Sequence, residues 1–241
     1  FKKLYLAGEE IMEVLDSNYV YSNLIKRGVT RLCHFTKIKS LVHIVASSLG
    51  ILATQFIQSD IKKQNDNQRI DGALDYVCCS IEYPNTWYWS KLRQRDEDAV
   101  FKEWAILCID TEIIKYRKIK FCPCNAAYQG GQFITQNFSQ FDELFAENTI
   151  VGQKKYYRSP EMLPCCPTDG QAEILIKHDI PLRFIRAIIV GNESAADQIN
   201  AVLKICKCKI DIYIAPDVCN TNWSNLIRIG KRPIETKYKV D

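Results

Sequence analysis

The sequence predicts an α+β protein, because strand-length apolar runs crowd the middle of the chain, helical periodicity marks both ends, and no regular βαβ alternation connects them. Leu4, Ile11, Val14 and Leu15 recur at helical spacing, and a second run through Tyr21, Leu24 and Ile25 stops at Gly28, so residues 1–30 read as helices. Residues 31–35 read as a short strand, after which Ile38, Leu41, Val42 and Val45 share one helical face that stops before Gly50. Residues 60–72 are crowded with Asn, Asp and Gln and read as a loop. Residues 76–81, 104–109, 172–176 and 184–190 are β-branched or apolar runs of strand length. A helix over 195–206 and a strand over 210–214 close the chain.

The 241 residues contain no repeat and no Pro/Gly/Ser linker, so the expectation is one domain over 1–241. With 47% apolar and 25% charged residues, the composition is that of an ordinary globular protein and excludes wholesale disorder and fibrous architecture. The most apolar window, residues 41–57, is interrupted by His43, Ser47, Gly50 and Gln55 and falls short of a membrane span. Phe1-Lys2-Lys3 soon meets Glu9, Glu10 and Glu13, which shows no secretory apolar centre. The 11 cysteines are odd in number and several sit inside strand-like runs, which favours reduced thiols and a cytoplasmic location.

The net charge of +4 is unevenly placed, since residues 183–241 hold 10 basic and 6 acidic side chains while the rest of the chain is balanced. Two local clusters, Lys115-Arg117-Lys118-Lys120 and Lys154-Lys155-Arg158, are candidates to meet an anion, with a solvated face as the ordinary alternative.

Several chemistries lose their usual warrant. Cys122-Pro123-Cys124 and Cys165-Cys166 lack the two-to-four-residue gap of a structural zinc loop, so no metal is expected. Gly130-Gly131 lacks the Lys-Ser/Thr of a Walker loop, and no strand enters a Gly-x-Gly-x-x-Gly run. A Cys–His nucleophile is underdetermined among 11 thiols and 3 histidines. Glu173 stands at the mouth of a predicted strand, where a carboxylate is suited to catalysis. Alternation points the other way, with Gln171 and Glu173 toward solvent and Ala172 and Ile174 toward the core. His34 reads equally as a hydrogen-bonded core histidine, and Arg69 either as a phosphate ligand or as a partner of Asp66 or Asp71.

Four ordered blocks nevertheless resemble the DarT family of NAD-dependent nucleic-acid ADP-ribosyltransferase toxins. They are Leu32-Cys33-His34-Phe35-Thr36; Arg69-Ile70-Asp71-Gly72 with Val77-Cys78-Cys79-Ser80-Ile81 and Tyr83-Pro84-Asn85; Phe121-Cys122-Pro123-Cys124-Asn125-Ala126-Ala127; and Gln171-Ala172-Glu173-Ile174-Leu175. The resemblance covers about residues 31–190, leaving the N-terminal helices and the basic C-terminal helix and strand (191–241) outside it. It implies an ADP-ribosyltransferase-like split β-sheet core with flanking helices, whose cleft holds NAD without a Rossmann motif.

By position, the resemblance makes Glu173 the catalytic glutamate and Arg69 the pyrophosphate ligand with a share in catalysis. It sets His34 and Thr36 against the nicotinamide side of NAD, and Tyr83 or Tyr88 against the nicotinamide ring. The loop expected over 151–170, just before the glutamate, corresponds to the segment that presents substrate, and there Lys154, Lys155, Tyr156, Tyr157 and Arg158 interleave cations with aromatics, as suits an unpaired base and its phosphates. The implied reaction is transfer of ADP-ribose from NAD to a nucleobase of single-stranded DNA, with a macrodomain antitoxin as partner. The Arg69–Gly72 and Phe121–Ala127 blocks look nearer to the guanine-modifying branch than to the thymine-modifying one. Cys78 and Cys79 depart from the pattern, standing where smaller or hydroxyl residues are expected. RNA or protein acceptors, or a non-catalytic nucleic-acid-binding module, are the competing expectations.

Overall fold

The computed structural model of the protein describes residues 16–46, 48–57, 71–95 and 103–239. Arg69, most of the expected loop over 60–72 and the first part of the expected N-terminal helices lie outside the described residues. Among those described, a helix over 16–26 precedes β1 (Leu32–Lys37), β2 (Ile51–Leu52), β3 (Tyr76–Ile81), β4 (Trp104–Ile109), β5 (Ile119–Cys122), β6 (Asn148–Val151), β7 (Lys154–Tyr157), β8 (Glu173–Lys177), β9 (Asp179–Ile180), β10 (Ile185–Val190), β11 (Asp211–Ile214) and β12 (Thr236–Lys237).

Eight of these strands form one sheet in the order β12-β11-β10-β4-β1-β3-β8-β5. Only β10 and β11 run parallel; the other neighbours are antiparallel. Their parallel connection is made by the helix Glu193–Ile205, whose N-terminus is capped by the Asn192 side chain accepting the Ala195 N–H at 2.8 Å. Ala195, Ile199 and Leu203 recur every four residues along that helix and are buried, and the helix packs against Ile38–Val45, which buries Ile38, Leu41, Ile44 and Val45. Emptying the Ile199 site to alanine would cost about 2–5 kcal/mol, because it is fully enclosed. β4 is buried along its whole length, as befits a central strand covered on both faces.

The cleft arises from the way β1 and β3 meet. β1 pairs with β4 from Leu32 through Lys37, but among the described residues it pairs with β3 only at Leu32–Ile81 and Cys33–Ser80. Beyond Cys33 the two strands part and the sheet splits.

One expectation needs correction. The segment 151–170 is not all loop: β6 and β7 form a hairpin turning at Gly152, whose φ of 59° favours glycine. The basic C-terminal segment completes the sheet through β11 and β12 and is anchored there by buried charge. Arg31 forks onto Glu235 at 2.8 and 2.5 Å, and Arg232 reaches the buried carboxylate of Glu82 at 2.7 Å. Arg232 thus pairs with a carboxylate just past the end of β3, while Glu235 supplies one to Arg31, so the segment exchanges one pair in each direction with the core. All eleven cysteines are free thiols, and among the described residues no helix is long and apolar enough to cross a membrane.

Candidate active site

The gap between β1 and β3 is a cleft whose walls come from both halves of the split sheet. β1 contributes His34, Thr36 and Lys37, β3 contributes Tyr76, Cys78 and Ser80, and Glu173 stands at the start of β8. Tyr88, from the helix Thr86–Arg95, and the segment Asn125–Ala127 close it. Six of the sequence-derived candidates thus resolve unevenly: His34, Thr36, Tyr88 and Glu173 share this cleft, Tyr83 does not, and Arg69 lies outside the described residues.

Glu173 is 6% exposed, so the solvent-facing reading from alternation is overturned. β8 is covered on the glutamate's face as well, by a second apolar cluster that joins Leu175, Cys122, Cys124 and Ala126 to Val151 of the hairpin. Register sets the carboxylate between Ser80 of β3 and Cys122 of β5. Its Oε2 accepts the Ala126 N–H at 2.7 Å. A backbone donor of this kind helps to fix the carboxylate's direction.

His34 is held by its Nδ1, which donates to the Cys78 carbonyl at 2.9 Å across the point where the strands part. A carbonyl only accepts, so this contact assigns the proton to Nδ1 and locks the ring. Thr36 is buried at 7% exposure two residues further along β1. Tyr88 stands 6.3 Å from the Phe35 ring, and Phe35 in turn stacks on Trp89.

Tyr83 is corrected: its ring stacks on Trp223 at 5.3 Å, with Arg31 over it, and burial pushes its hydroxyl pKa well up. It packs the core rather than a ligand. Arg158 is corrected as well. Its guanidinium turns inward and donates to the carbonyls of Cys166 (2.7 Å), Leu163 (2.6 Å) and Met162 (3.4 Å), pinning the loop that leads to Glu173, and burial lowers its pKa.

The other candidates of that cluster divide by strand register. Thr149 pairs with Tyr156 and Val151 with Lys154 on the inner face, where Lys154 sits 4.9 Å over the Tyr128 ring. Lys155 and Tyr157 lie on the outer face beside Ile150, and Tyr157 is 58% exposed.

Two contributors to the cleft, Asp71 and the Ala126 N–H, escaped the sequence reading. Asp71 lines the cleft, with Oδ1 accepting the Ala73 N–H at 2.9 Å and Oδ2 the Cys78 thiol at 3.7 Å. The Ala126 N–H was invisible because a backbone donor leaves no side-chain signature, although it falls inside the Phe121–Ala127 block. Asp169, four residues before Glu173 in the loop that leads to it, is 2% exposed; its Oδ1 accepts the Gln171 N–H, its Oδ2 has no hydrogen-bond partner among the described residues, and burial raises its pKa to about 6. Among the described residues no group of three or more His, Cys, Asp or Glu side chains is arranged to hold a metal ion.

Comparison with known proteins gives this cleft its family. Three solved structures of Thermus sp. 2.9 DarT share the fold: the complex with NAD+ (TM-score 0.53, 16% identity, covering 78% of this chain and 96% of that one), the complex with ADP-ribosylated ssDNA (0.53, 15%, 79% and 96%) and the complex with carba-NAD+ (0.52, 17%, 78% and 97%). No curated protein matches this chain. The family model described as "ssDNA thymidine ADP-ribosyltransferase, DarT" matches residues 33–223, from the strand that carries His34, through Glu173, to the tryptophan under Tyr83. This chain therefore belongs to the DarT family of NAD-dependent ADP-ribosyltransferases of single-stranded DNA.

Proposed function

We propose that Glu173, oriented by the Ala126 N–H in the split of the sheet, carries the transfer of ADP-ribose from NAD to a nucleobase of single-stranded DNA. The observation that supports this most directly is the buried carboxylate, accepting the Ala126 N–H in a cleft shared with His34, Thr36 and Tyr88. In the reaction, the bond between ribose C1′ and the nicotinamide nitrogen breaks, its electron pair leaves with nicotinamide, and positive charge develops on the ribose. A base nitrogen then bonds to C1′ and releases a proton. One carboxylate serves both moments, stabilising the cationic ribose and accepting the proton. His34, locked through Nδ1, and Thr36 bind the nicotinamide side of NAD, while the Tyr88 face stacks on the flat cationic ring. Arg69 takes the pyrophosphate as a two-pronged donor. Lys155 and Tyr157, on the open face of the hairpin, contact the acceptor strand.

The family resemblance further suggests a cytoplasmic toxin whose macrodomain antitoxin removes the modification, and a single transferase domain over 1–241. Two acceptor bases compete: the matching family model is described by a thymidine activity, while the Arg69–Gly72 and Phe121–Ala127 blocks look nearer to the guanine branch.

The test is intact-mass analysis of single-stranded DNA and RNA oligonucleotides, each restricted to one candidate base in an otherwise inert context, after incubation with NAD. The wild type is expected to add one ADP-ribose to DNA. Glu173→Gln is expected to lose at least ~10²-fold in rate, the size of effect associated with one well-aimed transition-state group, while melting like the wild type. Undiminished transfer by Glu173→Gln would sink the assignment. Modification of RNA alone would redirect the acceptor.

A further inference from the structure

The basic stretch Lys115–Lys120 divides sharply in the fold. Lys115 is engaged by Glu112 at 3.4 Å and lies 4.0 Å over the Tyr21 ring, and Arg117 forks onto Asp179 at 3.0 and 3.1 Å. Lys120 has no carboxylate partner among the described residues; its ammonium sits 4.7 Å from the centroid of the Tyr76 ring. Lys177 approaches the same ring at 5.9 Å, and its one carboxylate partner is Asp75 at 3.8 Å.

Two ammoniums therefore stand no more than about 11 Å apart against one ring, and among the described residues the one carboxylate paired with either is Asp75, loosely held by Lys177. The strand register gives this pair its meaning. Tyr76 pairs with Lys177, and Lys120 with Leu175, so both lysines share the sheet face of Glu173, two and four residues along β8 from it. Tyr76 itself lines the cleft.

From these positions we propose that Lys120 and Lys177, flanking Tyr76, form a phosphate subsite that holds the backbone of the acceptor DNA strand beside the cleft. Phosphate is also present in NAD, but two features favour the polymer. Lys177 lies about 13 Å along β8 from Glu173 at ~3.3 Å per residue. The pyrophosphate of a dinucleotide reacting at Glu173 stands one sugar from the reacting carbon, nearer than that, whereas an extended strand carries further phosphates outward. In addition, β5 is the last strand on that side of the sheet, so a chain crossing Lys120 leaves the sheet there, beside the single bridge that Thr135 makes to Phe121.

This inference rests on the single-stranded DNA reading above. Its test is equilibrium binding of a fluorescent mixed-base single-stranded oligonucleotide, without NAD, as a function of KCl concentration. Each phosphate contact to a single strand contributes about 0.7 to the slope of log K against log salt. Lys120→Gln and Lys177→Gln are each expected to flatten the slope by about 0.7 and the double variant by about 1.4, with KM for NAD unchanged. Lys115→Gln, whose charge is already engaged, should keep the wild-type slope. An unchanged slope in the double variant overturns the subsite, and so does a rise in KM for NAD without a change of slope, which would assign the lysines to the dinucleotide. Melting curves and the two single variants guard against a folding defect. Absence of any DNA modification by the wild type would instead refute the function on which the subsite rests, a result the mass assay reads separately.

Discussion

Arg232→Ala separates a structural role for the basic C-terminal segment from a nucleic-acid role. Glu82 is 1% exposed and stands in left-handed backbone (φ 63°), held by the Thr30 N–H at 2.7 Å, the Thr30 hydroxyl at 3.1 Å and the Arg232 guanidinium at 2.7 Å. Removing the guanidinium leaves a buried carboxylate with only the Thr30 donors. Breaking a fully buried pair costs about 3–5 kcal/mol. The Arg232 side chain is 50% exposed, so water replaces part of what is lost, and a loss of about 2–3 kcal/mol is expected. For a chain of this length that corresponds to a fall in Tm of about 4–12 °C. The assay is thermal or urea unfolding of Arg232→Ala, Glu82→Gln and the double variant. Glu82→Gln in the Arg232→Ala background removes the uncompensated charge and should restore part of the stability, giving a coupling of about 1 kcal/mol or more. A Tm within about 1 °C of wild type, with weakened DNA binding instead, would refute the reasoning and return this arginine to the nucleic-acid surface.

Two further outcomes follow from the buried Asp169 carboxyl and from the glycine pair Gly130–Gly131. Burial holds the Asp169 carboxyl at about 6, above its unfolded value, against the opposing pull of the Gln171 N–H and, more weakly, of Lys154 and Arg228, so the stability supplied by its protonated form is present below about pH 4 and is lost as pH rises toward 6. Asp169→Asn should therefore gain about 2–3 kcal/mol relative to wild type between pH 4 and pH 7.5; urea unfolding at both pH values measures it, and a pH-independent difference counts against the buried carboxylate. Gly131 has φ 85°, and a Cβ there would sit 2.3 Å from the Asp71 carbonyl oxygen, whereas Gly130 at φ 70° faces open space. Gly131→Ala should cost more than ~2 kcal/mol and raise KM for NAD by displacing Asp71 from the cleft wall, and Gly130→Ala only the ~1–2 kcal/mol of left-handed strain; equal effects on melting and KM would contradict the close approach.

Much of this was legible from the residues alone. The runs at 76–81 and 104–109 are strands as read, Ile38–Val45 is the helix its apolar spacing announces, and the helix expected over 195–206 runs from Glu193 to Ile205. These elements are local: their apolar period and caps lie within a few residues of one another. The ordered blocks around His34, Asp71, Cys122 and Glu173 also pointed to the family that matches residues 33–223. The sites were legible only in part. Alternation correctly sets Glu173 on the opposite side of β8 from Ile174, but it cannot report what covers that side; Val151 of the hairpin and the Cys122–Ala126 segment arrive from outside the strand and bury it. Tyr83 and Tyr88 are equivalent by sequence position, and only the Trp223 ring, brought in from near the C-terminus, assigns the first to the core. Arg158 and Lys155 read as one basic patch, yet one caps buried carbonyls and the other faces solvent. Sequence by itself thus determined the class of fold, its longer locally patterned elements and the family. Only the tertiary structure decided which polar side chains face the cleft and which lysines keep an unspent charge, because burial and ion pairing are set by partners a hundred residues away and not by the chain's local period.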